Sequence, residues 1–323
     1  MGRAADDRCS APRAPRRRQE HAADTWIRGP GSRANDFTKL SRPPRAERCK
    51  RKVISDPKSR GRVGALRRPD AAARHPYQAR RLKLIVAYDG APFAGWQSQA
   101  HGNTIQDHLE RAFERVTSVR ARVQGAGRTD AGVHALAQCA HTDVSKFLAL
   151  ARWVEALNAL LPPAIRVLRC RYVPRDFHAR LSAKGKIYRY RIWSAPVLPP
   201  FEYRRAWHIP HELDLKILKS AAKRFIGIHD FASFAANRGK PEKNTIRTIH
   251  SVRVQQKGPC VTIEFEGDGF LYKMVRLIVG SLVRCALGKM RIEAITARLH
   301  SGEIGSARLA APAEGLFLIR VRY

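Results

Sequence analysis

From Leu82 onward, short apolar runs with a period of two alternate with amphipathic stretches of period 3.6, and this grammar runs through twice. It constrains the fold more than any other feature, because strands and helices with one apolar side must be layered on one another. Leu82–Tyr88 reads as a buried strand ending in a turn at Asp89–Gly90. Thr104 is placed to cap a helix through about Val116, with Ile105, Leu109, Ala112, Phe113 and Val116 on one face. A strand is predicted near Val119–Gln124, then a loop over Gly125–Gly132 and a strand over Val133–Thr142. A helix around Phe147–Leu161 stops at Pro162–Pro163, and strands follow near Ile165–Tyr172 and Lys186–Trp193. In the second pass Leu213–Phe225 is helical, and Thr245–Gln255 and Cys260–Glu266 form a hairpin around Lys257–Gly258–Pro259. Phe270–Ala286 reads as a long helix, Ile292–His300 as a shorter one and Leu316–Tyr323 as a closing strand. The expected class is α+β, with two halves, 81–180 and 181–323, whose mostly antiparallel sheets present a concave face.

Charge then narrows the partner. The chain carries 61 Lys and Arg against 27 Asp and Glu, a formal net charge of +34 over 323 residues. Residues 1–80 hold 22 basic and 8 acidic residues and the remainder 39 and 19, so the body is basic apart from its tail. Such a surplus favours a polyanion, since each neutralised phosphate releases a counterion, and nucleic acid is preferred over a membrane surface. Residues 1–80, rich in Arg, Pro, Ala and Gly without a sustained apolar period, read as a disordered extension that either adds RNA affinity or is dispensable. Six cysteines show no CxxC spacing, and no apolar run approaches the roughly 20 residues of a membrane span. With no apolar signal segment at the N-terminus, the expected location is the cytoplasm. Twelve histidines include no HExxH or paired spacing for zinc, and His134 reads as a local hydrogen-bonding residue.

The stretch Gly125-Ala-Gly-Arg-Thr-Asp-Ala-Gly-Val-His134 is the most informative. Glycines there permit tight turns and close approach by a ligand, presenting Arg128 and Asp130 in a cleft. Its spacing is neither that of a dinucleotide fingerprint nor that of a P-loop. On pattern alone, an ordinary turn whose Asp caps nearby amides explains it equally well.

The stretch resembles the signature of the TruA family of tRNA pseudouridine synthases. The likeness continues through Tyr88-Asp-Gly, Gly95-Trp-Gln-Ser-Gln99, Asn103-Thr-Ile-Gln106, Phe177-His-Ala-Arg180 and Lys186-Ile-Tyr-Arg-Tyr190. Phe231-Ala-Ser-Phe234, Phe270-Leu-Tyr-Lys-Met-Val-Arg276 and Gly315-Leu-Phe-Leu318 complete an ordered set from Leu82 to Tyr323. The resemblance implies a cofactor-free, metal-free isomerisation of uridine in the anticodon stem-loop of tRNA by a homodimer. It makes Asp130 the nucleophile. Desolvation by bound RNA disfavours a charged carboxylate, so a cation must oppose it, and Arg276 matches the family's pairing arginine. A charge beside Met274, Val275, Leu277 and Ile278 generally has a partner. Tyr188 matches the active-site tyrosine, placed to stack on uracil and take part in proton transfer; by pattern alone, Tyr188 and Tyr190 alternate with Arg189 and Arg191 as on a strand with one buried face.

Arg128 matches a residue that contacts tRNA and assists base flipping, at a cost of a few kcal/mol for the base leaving its stack. Phe177, His178, Ala179, Arg180 and Leu181 align with a tRNA-contacting segment, Arg180 as phosphate ligand, and Leu316 matches a residue lining the uracil pocket. Residues 237–247, with Arg238, Lys240, Lys243 and Arg247, correspond as a segment to a second tRNA-contacting loop. Two rivals differ in kind. A non-catalytic RNA-binding protein would not need Asp130, Tyr188 and Arg276 together, and a metal-dependent nuclease would need clustered carboxylates.

Overall fold

The computed structural model describes residues 79–100, 102–236, 244–301 and 309–323. The extension before residue 79 and most of the segment 237–247 therefore lie outside the described residues. The first strand, β1 (Arg80–Tyr88), buries alternate residues Leu82, Leu84, Val86 and Tyr88, as a period of two demands. Helix α1 (Ile105–Thr117) starts at Thr104, whose hydroxyl accepts from Asp107 N while the Asp107 carboxylate accepts from Thr104 N, both at 3.2 Å. Such a cap contributes about 1 kcal/mol. Ser118, at φ 59°, ends the helix in the left-handed region.

The expected strand over 119–124 does not form. Val119 N donates to Thr117 Oγ1 and Val123 N to Glu110 Oε1, so the amides a ladder would use go to side chains. Only β2 (Gln124–Gly125) pairs with β3 (His134–Val144). Helix α2 (Leu150–Leu160), shorter than expected, precedes β4 (Ile165–Val173) and β5 (Gly185–Ser194). Two short strands went unpredicted: β6 (Trp207–Ile209) and, after α3 (Leu215–Lys223), β7 (Gly227–Asp230). At three and four residues, neither carries a readable period.

The hairpin of β8 (Ile246–Lys257) and β9 (Cys260–Gly267) turns at Gly258–Pro259, with Gly258 at φ +56°. Helix α4 (Met274–Ala286) begins four residues later than expected, because Lys273 at φ 57° sits in left-handed backbone that no α-helix contains. Helix α5 (Glu293–Ser301) and β10 (Leu316–Arg322) complete the order.

Among the described residues the ten strands belong to one sheet, ordered β4-β1-β3-β10-β5-β9-β8-β7, with β2 on β3 and β6 on β5. Most pairs are antiparallel, but β10 runs parallel to β3 and β6 to β5. The sheet is continuous across residue 180. The C-terminal strand β10 lies between β3 and β5, so the loop before β3 and the tyrosines of β5 meet at the centre of the sheet. Among the described residues, no helix is long and apolar enough to cross a membrane.

Candidate active site

The loop between β2 and β3 is clamped by its backbone. Ala126 N donates to Cys139 O at 2.7 Å, and Gln138 Nε2 donates to Gly127 O at 2.9 Å. Trp96 N donates to Thr129 O at 3.0 Å, and the hydroxyls of Thr129 and Tyr88 lie 2.8 Å apart. Gly95, at φ +90°, permits this approach: a Cβ there would stand 2.7 Å from Thr129 O. With the loop held from both sides, the Asp130 carboxylate is left to face outward. Among the described residues no backbone amide donates to it, so it is not a turn cap. Its partner is Arg276, whose Nη1 lies 3.0 Å from Oδ2.

Arg276 is held in turn. Its Nε donates to Ala311 O at 2.8 Å, and Ala311 N returns a bond to Arg276 O at 2.9 Å. The segment around Leu309 crosses α4 where Gly280 has no side chain; a Cβ there would lie 2.0 Å from Leu309 O. The guanidinium thus spends one edge on the backbone and offers another to Asp130, with both side chains largely withdrawn from solvent.

Two tyrosines leave β5 on the same face and do different things. Tyr190 Oη donates to Pro312 O at 2.7 Å, and its ring packs where Gly315 lacks a Cβ, so it is core. Tyr188 faces the cavity, edge-to-face with Phe270 at 5.2 Å. Burial, reinforced by Tyr88 and the negative charge of Asp130, pushes the Tyr188 phenol well above its usual range, so it stays protonated. Leu316, opposite Tyr190 on β10, reaches the same cavity.

The segment after β4 splits into two roles. Arg180 and the exposed Leu181 stand at the cavity. Ala179 is fully buried and Phe177 packs on Tyr323 at 5.1 Å; neither lines the cavity. His178 lines it but is already committed. Its Nδ1 accepts from Arg180 N and Leu181 N at 3.1 and 3.2 Å, which leaves Nε2–H to donate to Gln124 Oε1 at 2.9 Å. Buried His141 accepts Ala179 N at Nδ1, and desolvation, with Arg81 and His178 adding, lowers its imidazolium to about 4. A histidine kept neutral this way contributes stability that is whole above its ordinary 6.5 and lost as pH falls towards 4. The His141 ring resonance in an NMR titration should therefore turn over near pH 4; a midpoint at 6.5 would show that burial beside Arg81 and His178 does not hold it neutral. His134 is the local hydrogen-bonding residue expected: Nδ1 accepts Gly90 N at 3.1 Å, and Nε2 bonds the carbonyls of Arg204 and Glu314.

Arg128 stands exposed at the cavity, its Nε donating to Gln97 Oε1 at 3.1 Å, and Gln97 Nε2 in turn to Gln106 Oε1 at 2.9 Å. The cavity measures about 740 Å³ and is lined by seven Lys or Arg side chains but one carboxylate, Asp130. Arg122, Lys186 and Lys273 among those cations were not singled out in the sequence, and Arg247 was placed only within its segment. Lys186 could have been found: it precedes Tyr188 by two residues and so shares its face. Among the described residues no three His, Cys, Asp or Glu side chains gather as a metal site.

The chain matches the family model described as tRNA pseudouridine synthase over residues 84–181 and 221–323. It is 46% identical over 252 residues to a protein named tRNA pseudouridine synthase A from Akkermansia muciniphila, covering 75% of this chain and 95% of that one. Similar relatives of the same name come from Acetivibrio thermocellus, 41% identical over 244 residues with 76% and 100% covered, and Methylacidiphilum infernorum, 41% over 241 residues with 75% and 94% covered.

Proposed function

This chain belongs to the tRNA pseudouridine synthase family, and on that premise we propose that it isomerises uridines of the tRNA anticodon stem-loop with Asp130 as nucleophile. The observation that carries the reading is the Asp130–Arg276 pair, the lone carboxylate of a cation-lined cavity. The reaction is an isomerisation. The bond from ribose C1′ to uracil N1 breaks, one from C1′ to C5 forms, and a proton leaves C5 while another is gained at N1. No atom is added, so what the protein must supply is an ionised nucleophile, a grip on the freed base and a path for the proton.

Arg276 keeps Asp130 charged and aimed once RNA displaces water from the cavity. Tyr188, protonated and backed by Phe270, offers a stacking face, and Leu316 an apolar one. Arg128, steadied by Gln97, stands at the cavity to fill the stack that the flipped uridine vacates. Arg180 and the 237–247 segment take backbone phosphates. His178 and Ala179 shape the segment that presents Arg180. In this reading the catalytic cleft lies between an N-terminal half, 81–180, and a C-terminal half, 181–323, of RNA-recognition-like build. The protein works as a homodimer in the cytoplasm, without metal or cofactor, and the extension 1–80 is not needed for catalysis.

The test is to incubate unmodified tRNA with the purified protein and map pseudouridines by carbodiimide adducts and reverse transcription. Stops at anticodon-arm uridines are expected. Stops confined to other arms would refute the site, and tRNA bound without any stop would favour a non-catalytic RNA-binding protein.

A further inference from the structure

Beside Tyr188 stands a lysine that the reaction described so far does not use. Strand alternation places Lys186 on the Tyr188 face of β5, about 6.6 Å away along the strand. Its ammonium is tucked under the Asp130 loop: a Cβ on Gly127 would lie 2.9 Å from Nζ. The cavity wall includes it. Yet among the described residues the Lys186 ammonium has no hydrogen bond and no ion pair. Its charged neighbours are Arg180 and Arg247, both cations, and burial together with these two lowers the ammonium to about 8. Asp130 does not compensate it, being paired with Arg276. Arg247 spends Nη1 on the carbonyls of Asn244 and Ile246, which fixes its side chain without neutralising it.

Three cations converging with no anion are unfavourable in the free protein. Such an arrangement makes sense at a functional site where a ligand brings the missing charge. We propose that Lys186, with Arg180 and Arg247, seats one backbone phosphate of the RNA next to the flipped uridine.

This rests on the pseudouridine synthase reading above. Uracil and ribose are neutral, so the anion that RNA can bring here is a phosphodiester, one per nucleotide. A base held against Tyr188 must be joined to a backbone passing close by, and Lys186 is, of the cations lining the cavity, the one nearest in sequence to that ring. An ammonium serves such a group as a point charge, needing no planar alignment. Lys186 is then a positioning residue, anchoring the ribose while Asp130 reacts. Because the phosphate does not change during the reaction, the contact should act equally on ground and transition states.

The test compares wild type, Lys186→Met and Lys186→Arg on unmodified tRNA. Lys186→Met should raise KM about tenfold and leave kcat within about threefold, the pattern of lost uniform binding. The slope of log affinity against log salt should become shallower by about 0.7–0.9, the signature of one lost phosphate contact. Lys186→Arg should restore most of the affinity. A ligated tRNA carrying an uncharged methylphosphonate on the 5′ or the 3′ side of the target uridine should weaken wild type about tenfold at one of the two positions and weaken Lys186→Met markedly less there, since only Arg180 and Arg247 then remain to lose the contact. A fall in kcat with KM and salt slope unmoved would overturn the proposal in favour of proton transfer by Lys186. Wild type indifferent to both methylphosphonates would overturn it too, as would a Lys186→Met defect that persists undiminished on the neutralised RNA. If the wild type made no pseudouridine, the parent reading would fail, while the binding arms would still decide whether the phosphate seat exists.

Discussion

Asp130→Asn is expected to bind tRNA within about threefold of wild type and to lose isomerisation by at least roughly 10⁴-fold, the scale on which rates fall when a nucleophile is removed. The substitution is nearly isosteric, and the loop does not depend on the carboxylate. Its hold comes from Trp96, Tyr88, Gln138 and Cys139, bonded to backbone or to Thr129. An amide cannot attack ribose or form a charged pair with Arg276, yet it fills the same space. Single-turnover kinetics with a parallel filter-binding assay separate the two quantities. If turnover stays within tenfold of wild type, Asp130 is not the nucleophile; if binding collapses with turnover, the side chain holds the site together instead.

Arg276→Lys should cost about 10²-fold or more in kcat while leaving the protein folded. Arg276 meets two demands at once: Nε to Ala311 O at 2.8 Å and Nη1 to Asp130 Oδ2 at 3.0 Å. The planar guanidinium fixes the angle between them, whereas an ammonium on a shorter reach serves one well or both poorly. Displacing a reacting group by about 1 Å is enough for a loss of that size. A preserved melting temperature with a reduced kcat is the expected combination. Near-normal kcat would mean that charge alone, without the fork, keeps Asp130 in place.

The local elements were legible where chemistry is local. Thr104 announced a helix start, and the apolar run Leu82–Tyr88 announced a strand. Elements set by distant partners were not. β7 exists because β8 offers an edge to pair with, and 119–123 fails as a strand because Thr117 and Glu110 take its amides. The late start of α4 reflects left-handed backbone at Lys273, which a lysine does not advertise.

The site divides the same way. Asp130, Tyr188, Arg276 and Leu316 come from four separate elements and meet because β10 runs parallel to β3 and antiparallel to β5, a crossover no periodicity contains. The family resemblance named those residues, and the geometry brings them to one cavity. Phe177 and Ala179 were named beside them, but their side chains pack inward. Lys186 lay within a quoted motif without a role, since its burial and lack of a partner are properties of the folded cavity.

The most direct measurement is tritium release from tRNA labelled at uracil C5, with purified protein, EDTA present and nothing else added. Exchange of the C5–H bond is obligatory in the isomerisation, so the label reports the chemistry rather than binding. Release by wild type and none above background by Asp130→Asn is the result predicted for catalysis by a carboxylate paired with Arg276. Release by both proteins, or by neither while both bind tRNA, would contradict it.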